Sequence, residues 1–365
     1  MGRIAGFLFL LTLPAWSQQQ PVLPPSKALF ELRKSVIAEL VKLRGELAKK
    51  NAKSDVIDCD NIATKLTTPS KPMPERVVST PFPGDAVYEE VLALWIEGGK
   101  TLAKLYREGA AALKDKEAEE ATLFAGWFDT FPEVGRGIQQ LNKRRKAMKL
   151  APVTQDWANS IGGYLHGKYL KTNKDHPSVA GLGAHNEDRK LPGWTIEGEK
   201  AAGGILAWGA DGPGTMDVWL NSRFHRSPVM NRDCGRVAFG GTREEGFSCR
   251  DVGGMSGKPL AEVITWPGDG DTDIPTSFGS ELPNPFPPGV SSSGTVIVAD
   301  FGGRQPKKPE WRLLDPDKKP VEILNLDTKN PICFVAKSAL AAKTKYTVEI
   351  ATADGQRMTW SFTTK

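Results

Sequence analysis

Apolar residues near the start of the chain recur at alternating three- and four-residue steps. Leu29, Leu32, Val36, Leu40, Leu43 and Leu47 form one seam with lysine, arginine and glutamate between them. That period predicts an amphipathic helix over residues 26–50. Pro69, Pro72, Pro74, Pro81 and Pro83 then break regular structure. Asp85 reads as the N-cap of a second helix carrying Val87, Val91, Leu94, Trp95, Leu102 and Leu105, which Gly98 and Gly99 are expected to bend or interrupt. The seam is short for a coiled coil, so packing onto the next part of the chain is its expected use, with a partner helix as the alternative. Near the other end the period drops to two. Runs at 294–299, 311–314, 321–324, 332–335, 346–350 and 359–363, separated by Asp and Gly turns, predict short strands of a β-sandwich. A proline-rich stretch from Trp266 to Gly289 precedes them.

The first residues add a compartment. Arg3 is followed by an apolar run at 4–13 that is too short to span a bilayer, then by Ala15-Trp16-Ser17. This is the layout of a signal peptide over residues 1–17, cleaved between Ser17 and Gln18, and it predicts a secreted protein, extracellular or periplasmic. No later segment reaches membrane-spanning length, so the mature chain is expected to have no transmembrane segment. The 365 residues carry a net charge of +5 spread along the chain, which leaves no clustered basic footprint and points away from nucleic acid. Four cysteines without a Cys-x-x-Cys spacing favour disulfides in an exported chain. Cys234 and Cys249 flank a predicted hairpin at 236–252 and are expected to be linked across it. Cys59 and Cys333 pair across regions or stay free.

The middle of the chain carries the chemistry. Trp219-Leu220-Asn221-Ser222-Arg223-Phe224-His225-Arg226 ends a short helical run, with an isolated His185 and the segment Glu197-Gly198-Glu199-Lys200-Ala201-Ala202 upstream. Leu141-Asn142-Lys143-Arg144-Arg145 and a helix through Tyr164, His166 and Tyr169 precede these. In order and spacing the set resembles the CAP superfamily (cysteine-rich secretory proteins, antigen 5 and pathogenesis-related proteins; SCP-like domain), bacterial secreted type, over a little more than a third of the chain. The ending Lys345-Tyr346-Thr347-Val348-Glu349-Ile350 … Trp360-Ser361-Phe362-Thr363 resembles bacterial Ig-like domains. The resemblance implies an α+β architecture: signal peptide 1–17, helical N-terminal extension 26–124, α-β-α sandwich (CAP domain) 125–256, and Ig-like β-sandwich 258–365.

It also implies a cleft lined by His185 and His225 with Glu199 or Glu197. Asn221 and Ser222 stand where fuller members carry a second glutamate. Two neutral imidazoles and a water-bridged carboxylate would make a weak, open site for zinc or a similar divalent ion, held by His185 and His225. A hydrogen-bonded structural cluster is the alternative use of the same residues. His166, mid-helix, and His176, before a proline in a loop, are expected to stay outside the cleft. Nucleophilic catalysis lacks support, because no Gly-x-Ser-x-Gly elbow is present. Two function classes follow. One is a non-enzymatic binding protein for a lipid, glycan or cell-surface protein ligand, with Trp194, Trp208, Trp219 and Phe224 as groove candidates. The other is a metal-assisted hydrolase with Glu199 as general base.

Overall fold

The computed structural model describes residues 25–68, 71–74, 82–253 and 262–365. The signal peptide expected at 1–17 lies outside these residues. The first seam folds as its period predicts. Helix α1 (Lys27–Lys49) buries Leu29, Leu32, Val36, Leu40, Leu43 and Leu47, and the Ser26 hydroxyl caps it by accepting the Leu29 N–H at 3.2 Å. Helices α2 (Lys53–Thr67), α3 (Asp85–Ala110) and α4 (Asp115–Asp129) complete a helical group in which α1 packs on α2 and α3, and α3 on α4. Contrary to expectation, α3 runs unbroken through its two glycines. A Cβ at Gly98 would stand 2.9 Å from Leu43, and one at Gly99 2.8 Å from Phe131. The pair lets neighbouring side chains approach rather than ending the helix. Gly84, at φ 95°, takes the N-cap position expected of Asp85, which sits in the first turn.

The middle region contains α5 (Phe131–Ala147), β1 (Thr154–Gln155), α6 (Ser160–Thr172), α7 (Ile196–Ala202), β2 (Ile205–Ala207), α8 (Gly212–Leu220), α9 (Arg226–Met230), β3 (Arg236–Thr242) and β4 (Gly246–Asp251). Its strands form one sheet in the order β1-β3-β4-β2, parallel between β1 and β3 and antiparallel elsewhere. Successive residues of a strand face opposite ways. Phe239 faces α5 and α8: a Cβ added to Gly137 would meet its ring at 2.5 Å, and Trp219 meets it edge-on at 5.8 Å. Gly240 faces α6, where an added Cβ would stand 2.0 Å from the Ser160 oxygen. Helices therefore cover both faces of this sheet. On one face α6 approaches so closely that no side chain fits between.

The last region holds β5 (Ile264–Trp266), β6 (Asp271–Ile274), β7 (Ser277–Phe278), β8 (Ser293–Gly294), β9 (Val296–Asp300), β10 (Glu310–Leu314), β11 (Pro320–Val321), β12 (Ile323–Asp327), β13 (Ile332–Ala336), β14 (Lys345–Ala351) and β15 (Arg357–Thr364). Each of the six expected strand runs falls on strand. β6 and β7 arise inside the proline-rich stretch and β5 runs into its start, where none was expected. The sheets run β11-β10-β14-β15-β6 and β12-β13-β9-β5, with β7 and β8 paired separately. Trp311 of β10 stacks on Phe334 of β13 at 6.0 Å, joining the two larger sheets.

The protein is thus a mixed α+β chain with several small sheets and no closed barrel among the described residues. One apolar cluster runs from Leu29 to Phe362 without a break at 125 or 256. Charged groups cross those positions as well. Arg144 of α5, fully buried, reaches Asp217 of α8 at 2.9 Å and Asp271 of β6 at 2.6 Å. Asp58 of α2 meets Arg236 of β3 at 2.6 Å, and Asp156 lies 3.3 Å from the same guanidinium. Asp55 accepts the Trp95 indole N–H at 2.8 Å beside them.

The expected bridge does not form. Cys234 and Cys249 are free, buried thiols, as are Cys59 and Cys333. Register explains it: Cys249 lies opposite Phe239, whereas Cys234 precedes β3 by two residues. Burial, with Asp251 nearby, pushes the Cys234 thiol up to about 12, which makes it a poor nucleophile.

Candidate functional site

His185 ends a 3-10 turn, Gly181–His185, and its Nδ1 lies 3.1 Å from the Ala202 carbonyl oxygen at the end of α7. A carbonyl only accepts, so Nδ1 carries the proton and the Nε2 of the neutral ring is the basic nitrogen. His225 sits at the N-cap of α9, and its Nδ1 lies 2.5 Å from Glu281 Oε2. Both histidines line one cleft of about 380 Å³. Its walls are mostly apolar, from Leu206, Trp219 and Phe278 inside to Leu182, Trp208, Val218 and Leu282 at the mouth; Ser222 and Ser280 add hydroxyls. The two histidines expected to converge therefore do so.

Glu281 was not foreseen. It comes from the segment between β7 and β8, 56 residues after His225. Its side chain is 5% exposed. Besides the imidazole it accepts the backbone N–H groups of Arg223 at 2.5 Å, Phe224 at 3.0 Å and His225 at 3.3 Å. Burial alone would raise its pKa, but the His225 hydrogen bond and the Phe224 and Arg223 amides outweigh it and hold the carboxyl below its ordinary range. No motif marks Ser280-Glu281-Leu282-Pro283 in the sequence. Glu281 is one of four acids in the proline-rich stretch, with Asp269, Asp271 and Asp273, and nothing local sets it apart.

The other expected residues are elsewhere. Glu197, on the first turn of α7, is buried against Lys65 of α2 at 2.5 Å and accepts the Met73 N–H at 3.0 Å. Glu199 pairs with Arg189 at 3.1 Å and accepts the Trp194 indole N–H at 3.2 Å. Neither glutamate lines the cleft, because a short helix sends residues two apart to different sides and His185 meets only the C-terminal end of α7. His166 is buried with both ring nitrogens engaged, 2.9 Å from Glu187 and 2.9 Å from the Ala184 oxygen. His176 bonds Ser178 in an exposed loop. Trp208 and Trp219 line the cleft as expected. Trp194 lines a separate cavity beside Glu197, and Phe224 faces the arginine-lined groove behind α9.

A divalent ion would find a poor donor set here. Among the described residues no group of three His, Cys, Asp or Glu side chains is arranged to hold a metal. The one carboxylate in the cleft is already occupied by four N–H donors. The residues do not fit a resident zinc. A larger cavity of about 570 Å³ lies between α3 and α5. Its polar groups answer one another, Lys146 donating to Asp85 at 3.1 Å and the Gln139 amide to Glu89. The histidine cleft, with two basic nitrogens lacking protein partners among the described residues, is the better candidate site. No helix among the described residues is long and apolar enough to cross a membrane. Comparison with protein-family models, curated proteins and solved structures finds no match to this chain.

Proposed function

We propose that this chain is an exported, CAP-type binding protein with an Ig-like C-terminal region, and that it holds a small amphiphilic ligand of the lipid class in the His185–His225 cleft. The Trp219–Arg226 motif, the helix-covered sheet and the shared cleft support the CAP reading. The observation that carries the ligand class is the cleft mouth. Seven large apolar side chains are exposed among the described residues, and four of them, Leu182, Trp208, Val218 and Leu282, ring this opening at 51–59% exposure. Clustered exposed apolar groups around a concavity mark a binding surface. A glycan would ask for more hydrogen-bonding side chains than the two histidines and two serines here. The hydrolase reading loses its general base, because Glu199 is held by Arg189 and Trp194 away from the cleft.

The test uses Nile red, a neutral apolar dye. Wild-type protein should bind it saturably with a rise in fluorescence, and dodecanol should displace it. Trp208→Ala with Leu282→Ser should weaken binding about a hundredfold or more, since each of the two lost contacts is worth about 1.5–3 kcal/mol. Both side chains are exposed, so the fold should survive. Absence of saturable binding, or unchanged affinity in the double variant, would refute the reading.

A further inference from the structure

We propose that Glu281 is the positioning residue of the cleft: it holds His225 in its Nδ1–H tautomer and makes the C-terminal β region part of the binding site. The two regions look separable in sequence. In the fold, the segment at 278–282 supplies Phe278, Ser280, Glu281 and Leu282 to the cleft wall. Asn221 anchors the same junction, donating to the Ser277 oxygen at 2.9 Å and accepting the Val296 N–H at 2.9 Å.

The chemistry follows from counting donors. Glu281 faces three backbone N–H groups and the His225 ring, and an ionised carboxylate is acceptor-only. The ring must therefore donate from Nδ1, which in the neutral imidazole leaves Nε2 with a lone pair and no protein partner among the described residues. His185 is held the same way by the Ala202 oxygen. The cleft thus presents two acceptor nitrogens of the same tautomer within apolar walls. Resting on the binding function proposed above, this narrows the ligand to an amphiphile whose head donates a hydrogen bond: an alcohol, rather than the matching ether.

Two measurements test it, both on the full chain at about pH 8, above the ordinary histidine range. The first needs no ligand. Long-range proton–nitrogen NMR on imidazole-labelled wild type should show His225 protonated at Nδ1, and Glu281→Ala should move it toward the Nε2–H form. A purely structural role for Glu281 would leave the tautomer unchanged. An Nε2–H ring in the wild type would overturn the proposal without any variant having to fold. The second is Nile red displacement, where dodecanol should compete about fivefold better than dodecyl methyl ether, one neutral hydrogen bond's worth. Glu281→Ala should erase that preference. Equal competition by alcohol and ether in the wild type would overturn the ligand assignment. Failure of Nile red to bind would sink the binding function while the ring tautomer is still read directly.

Discussion

Lys65 and Glu197 give the sharpest check on where the carboxylates belong. Their side chains are 8% and 7% exposed, with Nζ 2.5 Å from Oε1. Lys65 also donates to the Lys71 oxygen at 2.8 Å, and Glu197 accepts the Met73 N–H. Lys65→Met would strand a buried carboxylate with one amide donor. Glu197→Gln would strand a buried ammonium beside a neutral amide. Removing one partner of such a pair costs about 3–5 kcal/mol, and the low exposure leaves little solvent screening to discount. With both charges gone, the double variant should return to within about 2 kcal/mol of wild type. Urea unfolding with m-values compared across the four proteins measures this cycle. Glu197→Gln should meanwhile leave Nile red affinity within about twofold, because the residue does not line the cleft. Single variants within about 1 kcal/mol of wild type, or additive losses in the double, would refute the pairing. Lost dye binding at unchanged stability would return Glu197 to the cleft.

Two further outcomes follow from buried ionisable groups. Burial pushes Asp55 and Asp58 above the usual carboxylate range despite the Arg236 charge, so the native state keeps protons that the unfolded chain releases. That contribution to stability is full below about pH 3.9 and is lost as pH rises through the raised native values. Asp55→Asn, which keeps the Trp95 acceptor, should flatten the fall of stability with rising pH in urea titrations; parallel curves would contradict this. The four thiols should resist iodoacetamide in the native protein and all react after denaturation without reductant. Dithiothreitol should leave Tm unchanged, and a drop in Tm would reveal a bridge.

Sequence and structure agree where burial follows a simple period. The α1 seam and strands β14 and β15 were legible because one face of each is apolar, and β9 and β13 because they are continuous apolar runs buried on both faces. Helix α2 was not, because its inward face mixes Ile62 and Leu66 with Asp55, Asp58, Asn61 and Lys65, all buried. A charged inner face has no hydrophobic signature, and its partners are far along the chain. Gly98 and Gly99 misled for a related reason: the demand they meet comes from Leu43 and Phe131, not from their own helix. In the cleft, motif order linked His185 with His225, but no local pattern could assign Glu281 over Glu199. The choice depends on how a loop between β7 and β8 folds back on α9.

The pairing of Asp58 with Arg236 also sets a clock. The two residues are 178 positions apart, and a chain emerging at about 5–20 residues per second leaves roughly 10–35 s between them. Through that interval the inner face of α2 carries carboxylates with no guanidinium to meet, and water is the cheaper place for them. The charged inner face of α2 is thus satisfied only once β3 has been made.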